Sequence, residues 1–86
     1  MTPDELLRLF PRETLRWLRG RLVVSQEVLA GYLGTSAETI ARWEDGRHAV
    51  SPAHRARLAT LLAPHLATLE GAAFVRSLGR GAPAGE

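Results

Sequence analysis

GTSAETIARWEDG, residues 34–46, contains a complete short helix together with the signals that start and end it. Ser36 can cap the first turn with its side-chain oxygen, and the glycines at both ends permit the left-handed backbone at which helices commonly stop. Ile40 and Trp43 are three residues apart, which places them on one face and predicts a buried anchor. The opposite face carries Ala37, Glu38, Thr39 and Arg42, which are predicted to be exposed and available for binding.

A second short helix is predicted directly before this one. Ser25 can cap a helix over about 26–33, whose inward positions are Leu29, Ala30 and Leu33. Only about three residues separate the end of that helix from the start of the next. A connection so short does not let the second helix run back alongside the first, so the two must cross, as in a helix-turn-helix.

Helix signals continue on both sides of this pair. Thr2 and Glu5 form a capping-box pattern, and Pro11 can open the following helix. Pro52 can begin a further helix, which Pro64 either bends or divides in two. Leu and Ala dominate the apolar residues, a composition that favours helices over strands. We therefore predict an all-α fold, a compact bundle of about five short helices in which helices at about 26–33 and 37–45 form the helix-turn-helix.

The chain of 86 residues is long enough for one domain with a modest core. We divide it into an N-terminal helical extension (1–10), a helix-turn-helix unit (11–63), a C-terminal helical segment (64–78) and a tail expected to be disordered (79–86). The apolar residues of the third part either complete the core or form the contact of a twofold dimer, and they are Leu66, Leu69, Ala73 and Phe74.

Composition argues against several kinds of site. The chain has no Cys, which excludes disulfides, thiolate zinc sites and a cysteine nucleophile. Its three His residues lack metal-binding spacing and its acidic residues form no catalytic pair, so we expect no metal, no cofactor and no enzyme activity. The start MTPDELLRLF is unlike a signal peptide, and no apolar run reaches the roughly 20 residues that span a bilayer. We expect a cytoplasmic protein without a membrane partner.

Charge is distributed unevenly along the chain. Residues 25–46 carry one Arg against four acids, whereas 1–24 and 47–63 both carry an excess of Arg. All of the basic residues are Arg, whose planar fork matches phosphates and guanine edges, although genomic base bias also explains such a composition. A DNA-binding surface in the acidic centre would depend on the Arg residues of the two flanks for its affinity.

Residues 25–47, SQEVLAGYLGTSAETIARWEDGR, resemble the helix-turn-helix of the phage-repressor type, the Xre or lambda-repressor-like family. The resemblance extends over about 11–63. It rests on matches at fixed spacing, which are Ser25, Gln26, Leu29, Ala30, Leu33, Gly34, Ser36, Ile40, Trp43, Glu44, Gly46 and Arg47. The resemblance implies a repressor-like transcriptional regulator that places helix 37–45 in the major groove of double-stranded DNA. It is also the basis for expecting a homodimer on a palindromic operator.

The resemblance further implies roles for individual residues. The positions that match base contacts are Ala37, Glu38, Arg42 and Gln26. Contacts with the DNA backbone are expected from Gln26, Ser36, Thr39, Arg47 and His48. Scaffold roles are expected for Arg19 and Glu44 as an ion pair, and for Ile40, Trp43, Leu29, Ala30, Leu33 and Gly34. Arg42 is the strongest candidate for base reading, because its fork can bond guanine O6 and N7 together.

The chain departs from the pattern of the family at one position and in the acidic charge of residues 25–46. Val23 stands where a Gly is usual, and because Val resists a positive φ, we expect the turn before Ser25 to be built differently. Trp17 does not depart from the pattern but stands at a position that the pattern places outward. We expect it to cover Leu7 and Phe10 within the chain rather than to meet a partner.

A second interpretation belongs to another class of function. The same scaffold could serve as a protein–protein interaction module that binds a basic partner through the acidic face of helices 26–33 and 37–45, without binding DNA. Within the DNA-binding interpretation, a chain of this size also fits an antitoxin-like regulator with a protein partner, such as a toxin or another regulator. Motif specificity favours DNA binding over the interaction module.

Overall fold

The first five helices begin at or beside residues that the sequence marks as helix starts. The computed structural model describes residues 1–81, and within that range it contains helices and turns but no strand. The helices are α1 (Pro3–Leu9), α2 (Pro11–Leu22), α3 (Gln26–Leu33), α4 (Ala37–Glu44), α5 (Pro52–Leu66) and α6 (Leu69–Gly81). The predicted all-α fold is confirmed, with six helices in the described range rather than about five.

Side-chain caps start the helices as the sequence suggests. Thr2 Oγ1 accepts from the Glu5 backbone N–H at 3.1 Å, and the Thr2 backbone N–H donates to the Glu5 carboxylate at 2.8 Å. This backbone hydrogen bond lowers the pKa of Glu5. Ser25, Ser36 and Ser51 each accept a hydrogen bond from the backbone N–H three residues later. These bonds satisfy N–H groups that have no partner inside the helix.

The core lies where α1, α2, α3, α4 and α5 meet. Its buried members are mostly Leu, and they are Leu7, Leu15, Leu18, Leu29, Ala30, Leu33, Ile40, Trp43, Val50, Leu58 and Leu62. Leu6 and Leu7 are fully buried, and α1 packs mainly against α5. Burying one Leu side chain stabilises the fold by about 1.5–3 kcal/mol. The N-terminal segment therefore contributes directly to the common core.

Polar contacts fix α1 in this position. Arg55 Nε donates to the Asp4 carboxylate at 2.6 Å, joining α1 to α5. The buried Thr14 hydroxyl donates to the Leu6 carbonyl at 3.3 Å, joining α2 to α1. Every buried side-chain N or O atom among residues 1–79 has a hydrogen-bond partner.

The break between α5 and α6 falls after Leu66 and not at Pro64, which lies inside the last turn of α5. Thr68 makes the break, because its hydroxyl donates to the His65 carbonyl at 2.6 Å and accepts from the Gly71 backbone N–H at 3.0 Å. The two helices are bent by 111°. Within residues 1–81 no single helix is long and apolar enough to cross a membrane, and this bent pair meets that test only when both helices are taken together.

The last helix extends beyond its predicted end. It continues to Gly81, three residues into the segment expected to be disordered, and the remainder of that segment, 82–86, lies outside the described residues. Phe74 of α6 stacks on Trp17 of α2, with ring centroids 4.7 Å apart and planes inclined by 8°. Trp17 is therefore covered within the chain by Phe74, a residue that the expectation about Leu7 and Phe10 did not include.

Candidate nucleic-acid interface

The turn between α3 and α4 is as short as the sequence predicts. Gly34 adopts a left-handed conformation with φ of 72° and ends α3, and the Thr35 backbone N–H closes the turn by donating to the Ala30 carbonyl at 2.9 Å. Ser36 then starts α4 by accepting from the Thr39 backbone N–H. Ala30 is buried against α4, where a larger side chain would hold the helices apart.

Helix α4 has one buried and one exposed face. Ile40 and Trp43 are buried in the core, and Trp43 also lies against the His54 ring of α5. On the other face Glu38 and Arg42 are exposed. The first turn completes this face with Ser36, which is exposed, and with Ala37 and Thr39, which are half-buried. The exposed side therefore presents a helix N-terminus and one Arg, a combination that suits the entry of a helix into a major groove.

A buried carboxylate ties α4 to α2 and α3. Glu44 is only 2% exposed, and Arg19 donates to both of its oxygens, from Nε at 2.7 Å and from Nη2 at 3.0 Å. This bidentate hydrogen bonding raises the pKa of Arg19. Gln26 donates its side-chain amide to the same carboxylate at 3.1 Å, and Arg19 Nη1 donates to the Val24 carbonyl at 3.2 Å. Three helices are thus held in one relative orientation beside the exposed face of α4.

The loop after α4 adds basic groups beside this face. Arg47 and His48 are both exposed, and Arg47 lies 3.8 Å from the Asp45 carboxylate. A cleft of about 270 Å³ separates α4 from the start of α5, and its lining consists of Thr39, Arg42, Trp43, His48, Ala49, Ser51 and His54. No carboxylate lines the cleft, so an anion would meet only neutral and cationic groups there.

Comparison with known proteins gives a match over this region. Residues 12–70 match a family model described as a helix-turn-helix domain, and this range covers more than half of the chain. The chain belongs to this helix-turn-helix family. No curated protein and no solved structure matches the chain significantly. At the level of the family, the helix-turn-helix domain indicates a DNA-binding regulator rather than a catalyst.

The acidic centre of the helix-turn-helix domain is less repulsive to DNA than its sequence suggests. One of its four acids, Glu44, is buried and neutralised by Arg19, so its charge does not face solvent. Arg16 Nε is 4.0 Å from the same carboxylate, and its side chain is more than half exposed. A Cβ added at Gly46 would lie 3.3 Å from Cδ of Arg12, which places that exposed Arg beside the loop after α4.

The turn that enters α3 corrects one expectation. Val23 ends α2 with φ of 56° and ψ of 52°, so it adopts the left-handed conformation that a Gly would provide. The prediction that Val would force another turn is wrong. Arg19 bonding to the Val24 carbonyl and the Val24 backbone N–H donating to the Arg19 carbonyl hold the chain in this geometry. Val23 is 88% exposed, so its side chain gains little packing that could offset the strain.

The structure separates the predicted site residues of the helix-turn-helix domain into two groups. The exposed ones are Ser36, Glu38, Arg42, Arg47 and His48. The half-buried ones are Ala37, Thr39 and Gln26, and Gln26 donates to the scaffold carboxylate. The bond between Gln26 and Glu44 was missed, because the resemblance pointed Gln26 toward DNA. Among residues 1–81 no group of three or more His, Asp or Glu side chains is arranged to hold a metal ion.

Proposed function

We propose that this protein is a sequence-specific regulator that binds double-stranded DNA with α4 in the major groove. The observation that supports this most strongly is the orientation of α4. Its apolar side is buried through Ile40 and Trp43, while its N-terminal turn and Arg42 are exposed beside a loop with further basic side chains. That arrangement matches a recognition helix, whose N-terminal residues contact base edges.

Base and backbone contacts divide by position on this surface. Arg42 reads guanine, Glu38 accepts from a cytosine amino group, and Ala37 contacts a thymine methyl group. Ser36, Thr39, Arg47 and His48 contact phosphates and set the register of the domain on the duplex. Gln26 contributes through whatever hydrogen-bonding capacity its bond to Glu44 leaves free. With few base readers, the affinity depends strongly on phosphate contacts and therefore on salt.

The finer assignment is a repressor of the phage-repressor or Xre type, acting as a homodimer on a palindromic operator. The matches over residues 25–47 support the type, and the exposed apolar residues at the start of α6 support the dimer. In such a dimer the two recognition helices lie about 34 Å apart, one turn of the duplex. The small domain would then act by occupying its operator, in an antitoxin-like manner if a protein partner controls it.

One observation favours the second candidate function, a protein-interaction module without DNA binding. Glu27 and Glu38 are exposed on α3 and α4, and neither forms an ion pair with a side chain of residues 1–79. A basic partner would find two free carboxylates there. Under this alternative, Glu38→Lys abolishes the capture of that partner, whereas under the DNA-binding proposal the same change strengthens general attraction to DNA.

Selection of bound fragments from random double-stranded DNA by the purified protein tests the proposal. We expect enrichment of a palindrome with half-sites about ten base pairs apart, and binding that weakens steeply as salt is raised. Recovery of no shared sequence, together with binding that does not depend on salt, would contradict it.

A further inference from the structure

An apolar groove lies between α3 and α5, distinct from the exposed face of α4. Its lining consists of Leu22, Val24, Val28, Leu29, Tyr32 and Leu61, and its volume is about 230 Å³. Val28 is 59% exposed and Tyr32 is 49% exposed, so the groove is open to a partner. Single exposed apolar residues are ordinary, but an apolar cleft with several of them indicates an interaction site.

The edge of the groove carries one cation. The Arg57 guanidinium lies over the Tyr32 ring, 5.5 Å from its centroid, and Arg57 has no carboxylate within 4 Å among the described residues. Tyr and Arg are the residue types that most often dominate binding energy at protein interfaces. An occupant that suits this groove therefore has an apolar side chain with a carboxylate beside it.

The first turn of α6 offers that combination on the same chain. Leu69 is 87% exposed, the largest exposure of any Leu described, and it does not line the groove of its own molecule. Glu70 follows it, is exposed, and forms no ion pair among the described residues. The exposed Ala72 and Ala73 extend the same surface with small side chains that permit close approach.

We propose that the groove binds Leu69 of a second copy of this chain, with Glu70 of that copy paired to Arg57. The inference rests on the proposed dimer and names the surfaces that form it. Both features adjoin α5, since Leu61 lies on it and Leu69 follows its end by three residues. In a twofold dimer each chain supplies one groove and one Leu69, so every contact occurs twice.

This arrangement changes the roles expected for the C-terminal residues. Leu66, at the end of α5, packs against the core, and Phe74 of α6 stacks on Trp17, so both side chains are occupied within their own chain. Leu69 and Ala73 are exposed and remain for the partner.

Charge reversal tests the pairing by sedimentation equilibrium. Arg57→Glu alone places Glu against Glu at both contacts, and Glu70→Arg alone places Arg against Arg, so each variant should raise the dimer dissociation constant at least about tenfold. A mixture of the two variants restores opposite charges at both contacts and should recover the dimer. A loss of helix stability in Glu70→Arg could not be rescued in this way, so recovery would support the pairing. Failure of the mixture to dimerise, with both variants still helical by circular dichroism, would overturn it.

Replacement of the apolar contact gives a second test with a matched control. Leu69→Asp should yield a monomer, whereas Leu9→Asp, at a Leu that is also exposed, should leave the dimer intact. Equal effects of the two changes would overturn the proposal, as would an unmodified chain that stays monomeric at micromolar to millimolar concentration.

Binding to a single half-site separates this inference from the proposed function. If Leu69→Asp remains dimeric and the unmodified protein binds a half-site, the proposed groove contact is wrong and the DNA-binding proposal stands. If Leu69→Asp is monomeric and neither protein binds any selected DNA, the dimer surface stands and the DNA-binding proposal is wrong.

Discussion

Val23 shows how much a single residue can depart from its local preference. A β-branched residue in the left-handed conformation is costly by roughly 1–2 kcal/mol, yet the surrounding turn retains it because Arg19 and the Val24 backbone are bonded on either side. The rule against positive φ states the energetic cost at Val23 correctly, but it predicted the wrong conformation for the turn. The rule considers one residue alone, whereas the conformation of the turn also depends on the hydrogen bonds of Arg19 and Val24.

Replacing Val23 with Gly should therefore stabilise the protein. The change removes the left-handed strain, and this gain exceeds the loss from the chain entropy that Gly adds to the unfolded state. We therefore expect the free energy of unfolding to rise by up to about 1 kcal/mol. Urea denaturation measures it. Gly34→Ala, at the other end of α3, should lower the free energy of unfolding by about 1 kcal/mol, because Gly34 has φ of 72° and Ala is strained in that conformation. A loss of stability in Val23→Gly would show that Val23 is not strained.

The buried carboxylate gives a second prediction at this scale. Arg19→Ala leaves Glu44 buried with Gln26 as its remaining close donor, so we expect a loss of about 3–5 kcal/mol in the free energy of unfolding. Gln26→Ala should cost only about 1 kcal/mol. As the control, Arg8→Ala removes an exposed pair with Asp4 at 3.7 Å and should change stability by less than about 0.5 kcal/mol. Similar losses in Arg19→Ala and Arg8→Ala would contradict the scaffold role.

Helices were predictable where their signals are local. Capping residues and apolar spacing located α3 and α4 closely, since Ser25, Ser36 and Gly34 act on the backbone within a few residues of themselves. The corner between α5 and α6 was less predictable. Pro64 was the stronger local signal, but the break depends on Thr68 and on the close approach of α6 to the end of α5.

The corner supplies a prediction at the scale of the element. A Cβ at Gly71 would lie 2.5 Å from Leu66 Cα, so Gly71→Ala must push α6 away from α5. We expect a loss of about 1–3 kcal/mol in the free energy of unfolding. The fluorescence of Trp17 should also change, because its stacking on Phe74 of α6 is loosened. Gly79→Ala, where a Cβ meets nothing within 4 Å, should instead stabilise α6 by roughly 0.5–1 kcal/mol. Two variants of equal stability would contradict the close packing of this corner.

For the whole molecule, the sequence predicts the fold class and a DNA-binding scaffold but not how charge is shared over its surface. By residue count, the segment 25–46 is strongly acidic. The fold, however, buries Glu44 and brings Arg12 and Arg16 of α2 toward α4 and the loop after it. These contacts join residues about 30 apart in the chain, which no local pattern describes. The apolar groove was missed for the same reason, since its lining comes from three separate parts of the chain.

The most direct test of DNA recognition by α4 compares three Arg→Ala variants on one selected site at two salt concentrations. Arg42→Ala should lose about 1–3 kcal/mol of binding free energy and relax selectivity at one base pair. Arg47→Ala should weaken binding to all sequences alike and reduce the salt slope by about one, whereas Arg76→Ala, at an exposed Arg of α6, should bind unchanged. Equal binding by Arg42→Ala, Arg76→Ala and the unmodified protein, with no dependence on salt, would contradict the account.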